Sequence, residues 1–165
     1  MAYAPLTIFS ENDGFSVERA NQLYVALSRL VDPPYKIYTK PTGEANLTTT
    51  STTYALLDGT ADKFNLTITT YGNPVEIGLF GSFTNSVSGA FVYFDIELDG
   101  ALIGGSANIL AGSTVPTATN VMSLAMRRLQ AVSAGSHTFK VYWKVTSGTG
   151  TLYSIGNPQF YVREI

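Results

Sequence analysis

The spacing of apolar residues changes once along the chain. In "GFSVERANQLYVALSRLVDPP" they recur every three or four positions, at Ala20, Leu23, Leu27 and Leu30, with Tyr24 and Val31 widening the stripe. That is the period of a helix buried along one side. Ser16 is placed to cap it, Glu18 falls in its first turn and Arg29 in its last, and Pro33-Pro34 ends it, which predicts a helix of about 15 residues. "YKIYTKPTGEANLTTTSTT" follows with no clear period and is expected to be an extended linker or arm that enters the first strand near Thr52.

From there the period is two. Phe64, Leu66 and Ile68 share one face of "KFNLTITTYG", and Val75, Ile77, Leu79 and Phe83 share one face of "PVEIGLFGSF". "AFVYFDIELDG" places Val92, Phe94, Ile96 and Leu98 together and closes with Asp99-Gly100, a hairpin dipeptide, so "ALIGGSANI" is the expected return strand. Phe139, Val141, Trp143 and Val145 alternate with Thr138, Lys140, Tyr142 and Lys144 on a strand expected to leave a turn at Ala134-Gly135. "NVMSLAMRRLQAV" fits both periods. Its position between strands and its run into that turn favour a strand. With "GTLYS" and "PQFYVREI" the count reaches eight or nine short strands, the mark of an all-β antiparallel sandwich of jelly-roll type. The organisation expected is residues 1–47 as an N-terminal arm and short α-helix for docking or self-association, through Leu23, Tyr24, Leu27 and Leu30, and residues 48–165 as the sandwich.

Composition narrows the function. Of 165 residues 13% are charged, about half the roughly 25% of ordinary soluble proteins, and Ser, Thr, Gly and Tyr are abundant. The net charge of −2 with no basic run argues against contact with nucleic acid. There is no cysteine, hence no disulfide framework and no thiolate metal site. No apolar stretch approaches the roughly 20 residues that span a bilayer, and "MAYAPLTIFSENDGF" lacks a basic segment followed by an apolar one, so neither secretion nor membrane insertion is expected.

Candidate chemistry is sparse. Asp95 and Glu97 share a strand face, as the paired carboxylates of a glycosidase could, but they alternate with Phe91 and Tyr93, which suits a solvated or inter-subunit face better. His137 has no second His or Cys to share a metal and no triad context, so a structural role is expected. Asp58, Asp62 and Asp99 stand beside turns, where carboxylates bond their own backbone, and their spacing does not build a calcium loop. "GGSAN" and "SGTGT" lack the Lys and helix of a phosphate loop. No enzyme activity, cofactor or metal is expected. What stands out is aromatic content opposite the presumed core, at Phe80, Phe91, Tyr93, Tyr142 and Tyr161, which marks a protein or glycan contact.

The helix "GFSVERANQLYVALSRL", joined to a Ser/Thr-rich sandwich that contains "AGSHTFKVYWKVTSGTGTLY" and ends "FYVREI", resembles small virion proteins of tailed bacteriophages with trimeric jelly-roll domains, similar to the tumour-necrosis-factor and C1q fold. The resemblance implies a homotrimer and carries over no site residues; the outward aromatics Phe91, Tyr93 and Tyr142 are the trimer interface expected from their place opposite the presumed core. The resemblance further implies a capsid decoration (cement) protein on the outer surface of the particle, made in the host cytoplasm, whose arm grips the major capsid protein or another virion protein. The alternative is a head-fibre or tail-fibre module that recognises host cell-surface glycan.

Overall fold

The computed structural model describes residues 16–59, 62–105, 109–118 and 120–165, with only the backbone of residues 28–31. Two compact units part between Pro33 and Pro34. The first contains α1, Val17–Val31. Ser16 caps it as the sequence predicts: its Oγ accepts the Arg19 N–H (3.2 Å) and its carbonyl accepts that of Ala20 (3.0 Å).

The second unit is the sandwich. Its strands are β1 (Tyr35–Thr39), β2 (Leu47–Thr49), β3 (Ala55–Leu56), β4 (Asn65–Tyr71), β5 (Val75–Asn85), β6 (Phe91–Leu98), β7 (Ala101–Leu102), β8 (Ala111–Thr114), β9 (Met122–Gln130), β10 (Ala134–Val145), β11 (Gly150–Leu152) and β12 (Gln159–Glu164). In the first sheet β5 is flanked by β9 on one side and by β12 and then β11 on the other, with β1 outside β12 and β2 outside β11. In the second, β10 and β6 lie at the centre, β4 and β3 flank β10, and β8 and β7 flank β6. Every pairing is antiparallel, and the chain passes repeatedly from one sheet to the other, which is jelly-roll topology. The short strands lie end to end beside the long ones, so twelve segments fill four lanes per sheet.

The core is the two inner faces. Ile77, Leu79, Phe83, Phe160 and Val162 from the first sheet meet Val92, Phe94, Ile96, Phe139, Val141 and Trp143 from the second, all buried. These are the positions that the period of two selects. Phe94 packs edge-on against Phe83 (5.5 Å between centroids) and stacks with Trp143 (6.1 Å). Glu164 is also buried. Its carboxylate accepts the N–H groups of Tyr71 (2.9 Å) and Asn73 (2.8 Å), tying the β4–β5 turn to the last strand.

Several local expectations need correction. The segment expected to be a linker supplies β1 and β2, and Tyr38 points inward onto Phe64, edge to face at 4.9 Å. Lys40, also buried, is neutralised there by Glu44, which Lys63 shares. "NVMSLAMRRLQAV", by contrast, is the strand that its position predicts, with Leu124 and Met126 buried. Ala134-Gly135 is not the turn before β10 but its first two residues, with Gly135 paired to Thr70 at φ +140°. Asp99-Gly100 is a hairpin turn, both residues at positive φ, but strand β7 extends only over Ala101–Leu102.

Candidate functional site

The outward face of the first sheet is the most developed surface. The register aligns three rows across β1, β12, β5 and β9: Tyr35, Arg163, Glu76 and Leu129; then Ile37, Tyr161, Gly78 and Arg127; then Thr39, Gln159, Phe80 and Ala125. Glu76 is the centre. It is only 6% exposed although it faces away from the core. The Tyr161 hydroxyl donates to its Oε1 (2.6 Å), Arg163 Nη2 donates to the same oxygen (3.2 Å), and Arg127 Nη2 donates to Oε2. The Tyr161 hydroxyl first, and then Arg127, hold the Glu76 carboxyl below the usual carboxylate range. Burial, and then Glu76, push the Tyr161 phenol above its ordinary value.

Gly78 makes this cluster possible. Tyr161 lies across it, and a β-carbon there would sit 2.1 Å from the ring. Phe80 stacks on the ring (6.0 Å, 12°) and Tyr35 leans on it (6.4 Å, 50°). Two shallow grooves flank Glu76, one of about 340 Å³ lined by Tyr35, Glu76, Tyr161 and Arg163, the other of about 290 Å³ lined by Glu76, Arg127, Arg128 and Leu129. The rim is apolar and exposed: Tyr35, Ile37 and Leu129, the last at 62%.

The three residues expected at a trimer interface lie on the outward face of the second sheet. Phe91 and Tyr93 stack in parallel (5.3 Å, 8°), and Tyr142 is on the neighbouring strand β10, opposite Asp95. Phe91 is exposed and the other two half-buried. Charge surrounds them: Lys144 sits 4.4 Å from the Tyr54 ring centre and 5.6 Å from that of Tyr93, and Lys140 is 3.6 Å from Glu97.

Asp95 and Glu97 do not form a catalytic pair. Asp95 is fully buried, with Oδ1 accepting the Ile96 N–H (2.7 Å) and Oδ2 without a hydrogen bond, while Glu97 is engaged with Lys140. Burial raises the Asp95 carboxyl above its ordinary value, and burial, Asp95 and Tyr93 push the Tyr54 phenol up to about 12. His137 is a strut, with Nδ1 2.7 Å from Asp99 Oδ2 and Nε2 2.9 Å from the Ser133 carbonyl. The turn aspartates serve their turns: the Asp58 carbonyl accepts the Asp62 N–H, Asp62 accepts Asn65 Nδ2 (2.7 Å), and Asp99 Oδ1 accepts the Thr138 N–H (2.8 Å). Among the described residues no three metal-binding side chains gather, and no helix is long and apolar enough to cross a membrane.

On α1, Tyr24 and Leu27 are exposed and Leu23 is half-buried, while the Leu30 side chain lies outside the described residues. Sequence reasoning placed Phe80 and Tyr161 among the outward aromatics but missed Glu76, Arg127 and Arg163. The available signal was the lone Glu in "PVEIGLFGSF", two residues before a strand Gly and so on the same face.

The chain matches no family model and no curated protein sequence. Solved structures with a similar fold include the Eiger TNF of S. frugiperda (8% identity, TM-score 0.47, 80% of this chain and 93% of that one) and the GITRL of pika (11%, 0.39, 81% and 95%). They also include a structure of infectious bursal disease virus, Gt strain (13%, 0.43), in which this chain covers 38% of the viral one.

Proposed function

We propose that the chain is a non-enzymatic structural protein of a virus particle: a homotrimer that decorates the outer surface of a tailed-phage capsid and is attached to the major capsid protein through its N-terminal unit. The observation that carries this is the outward face of the first sheet, where exposed Tyr35, Ile37 and Leu129 surround a preorganised Tyr–Arg–Glu cluster. Exposed aromatic and aliphatic side chains beside tyrosine and arginine match the residue types enriched at protein contacts. The stacked Phe91 and Tyr93, with Tyr142 beside them, add a second, more charged contact area. Incubating purified protein with shells that lack it tests the reading. The full chain should co-sediment with the shells and a chain without residues 1–33 should not; equal binding by both rejects attachment through the N-terminal unit.

A host-recognition role is the second reading. The Tyr35–Tyr161 groove sets aromatic rings beside Arg163 and Glu76, a combination that can hold a sugar ring by stacking and hydrogen bonds. Binding on a glycan array, abolished by Tyr35→Ala, supports it, and no binding rejects it.

A further inference from the structure

The groove lined by Tyr35 and Arg163 is uneven in its hydrogen-bonding capacity. Both oxygens of Glu76 are taken, Oε1 by the Tyr161 hydroxyl and Arg163, Oε2 by Arg127. That carboxylate is nearly buried and offers a ligand little. Arg163 is the reverse. Its side chain is 47% exposed, it bonds Glu76 through Nη2 alone, and a guanidinium carries five N–H groups in a planar fork. Two guanidiniums share one carboxylate here, an excess of one positive charge, and the three rows across β1, β12, β5 and β9 hold no other acid. A ligand that complements this groove brings acceptors and negative charge.

The walls select what carries that charge. Tyr35 and Arg163 are direct partners across β1 and β12, so their β-carbons lie about 5 Å apart. Tyr35 is 49% exposed and its ring meets that of Tyr161 at 50°, which gives the groove an aromatic wall beside the guanidinium. At about 340 Å³ the groove falls at the small end of the roughly 300–1,000 Å³ of ligand pockets, a size for one ring rather than a long chain. A single sugar ring with its C–H face on Tyr35 can set a carboxylate against Arg163. An acidic side chain of a partner protein would satisfy Arg163 and leave the aromatic wall uncovered. Leu129 lies on the other side of Glu76, outside this groove.

We propose that the Tyr35–Arg163 groove binds a sugar that carries a carboxylate, with the ring on Tyr35 and the carboxylate held by the Arg163 fork. The inference rests on the host-recognition reading and names its class of glycan. A planar guanidinium matches a carboxylate with two parallel hydrogen bonds, a match that the hydroxymethyl group of a neutral sugar does not make.

The test applies labelled full-length protein to an array. Glucuronic-, galacturonic- and sialic-acid glycans are each printed beside their carboxyl-reduced forms, with a glutamate oligomer alongside. At least one acid should be bound at least tenfold more strongly than its reduced form, a comparison that needs no variant. Arg163→Gln should erase that preference. Lys36→Gln removes the same charge from the next residue of β1, which alternation turns to the other face, and should keep it. A preference that survives in Arg163→Gln, or is lost equally in both variants, overturns the site. Equal binding of acid and reduced forms overturns the acidic ligand and leaves host recognition standing. Equal capture of the glutamate oligomer shows recognition of charge without a ring and overturns the sugar. No glycan bound overturns both.

Discussion

Tyr161 lies across Gly78 and fixes Glu76. The glycine leaves the space, the ring crosses it, and the hydroxyl reaches the carboxylate at 2.6 Å. This pair makes an outward sheet face rigid at its centre.

Gly78→Ala should therefore expel the ring. Overpacking of this kind costs about 1–3 kcal/mol. Urea unfolding should show that loss, and Tyr161→Phe, which removes only the hydroxyl, should lose on the order of 1 kcal/mol. Full stability in Gly78→Ala contradicts the arrangement.

The His137–Asp99 pair makes stability depend on pH. The hydrogen bond that His137 donates to the Asp99 carboxylate raises the His137 value above its ordinary 6.5, against its partial burial. The stabilisation is complete below the ordinary histidine value and is lost as pH rises through the raised folded value. Asp99 is opposed by burial, but the Thr138 N–H and His137 hold it below its usual 3.8, so its contribution is present above the ordinary carboxylate value and is lost as pH falls through the lowered one. Thermal unfolding between pH 5 and 9 should show stability falling on the alkaline side, and His137→Gln should flatten that limb.

Asp95 acts in the opposite sense. Burial raises its carboxyl, so the native state binds the proton more tightly than the unfolded one, and stability declines as pH rises through the folded value. Asp95→Asn should stabilise the sandwich at pH 7 by on the order of 1 kcal/mol, with the gain shrinking toward pH 4. A destabilised variant at pH 7 would show that the carboxylate has a partner there.

Leu129 is exposed, and surface changes of its kind usually stay within about 0.5 kcal/mol of wild-type stability. Leu129→Ser should leave the unfolding curve in place and weaken self-association at least tenfold by dilution sedimentation. Phe91→Ser, on the more charged face, should weaken it less. The reverse order would move the main contact to the second sheet.

How much of this was legible in the sequence follows from what sets each feature. Alternation identified the core strands because burial on one face imposes it, and Val92, Phe94, Ile96, Phe139, Val141 and Trp143 all point inward. β1 and β2 were missed because edge segments are half-exposed: Tyr35, Ile37 and Tyr38 are all apolar, and only pairing with β12 separates their faces. Gly135 reads as a turn in the sequence because glycine marks turns, yet here it serves inside a strand at positive φ. The Glu76 cluster joins residues from β5, β9 and β12, far apart in the chain, and only strand register brings them together.

Sedimentation equilibrium of the full chain at micromolar concentration tests the homotrimer most directly. The account predicts a particle of three times the 17.7 kDa chain mass. A single species of one chain mass, unchanged as concentration rises, would contradict it.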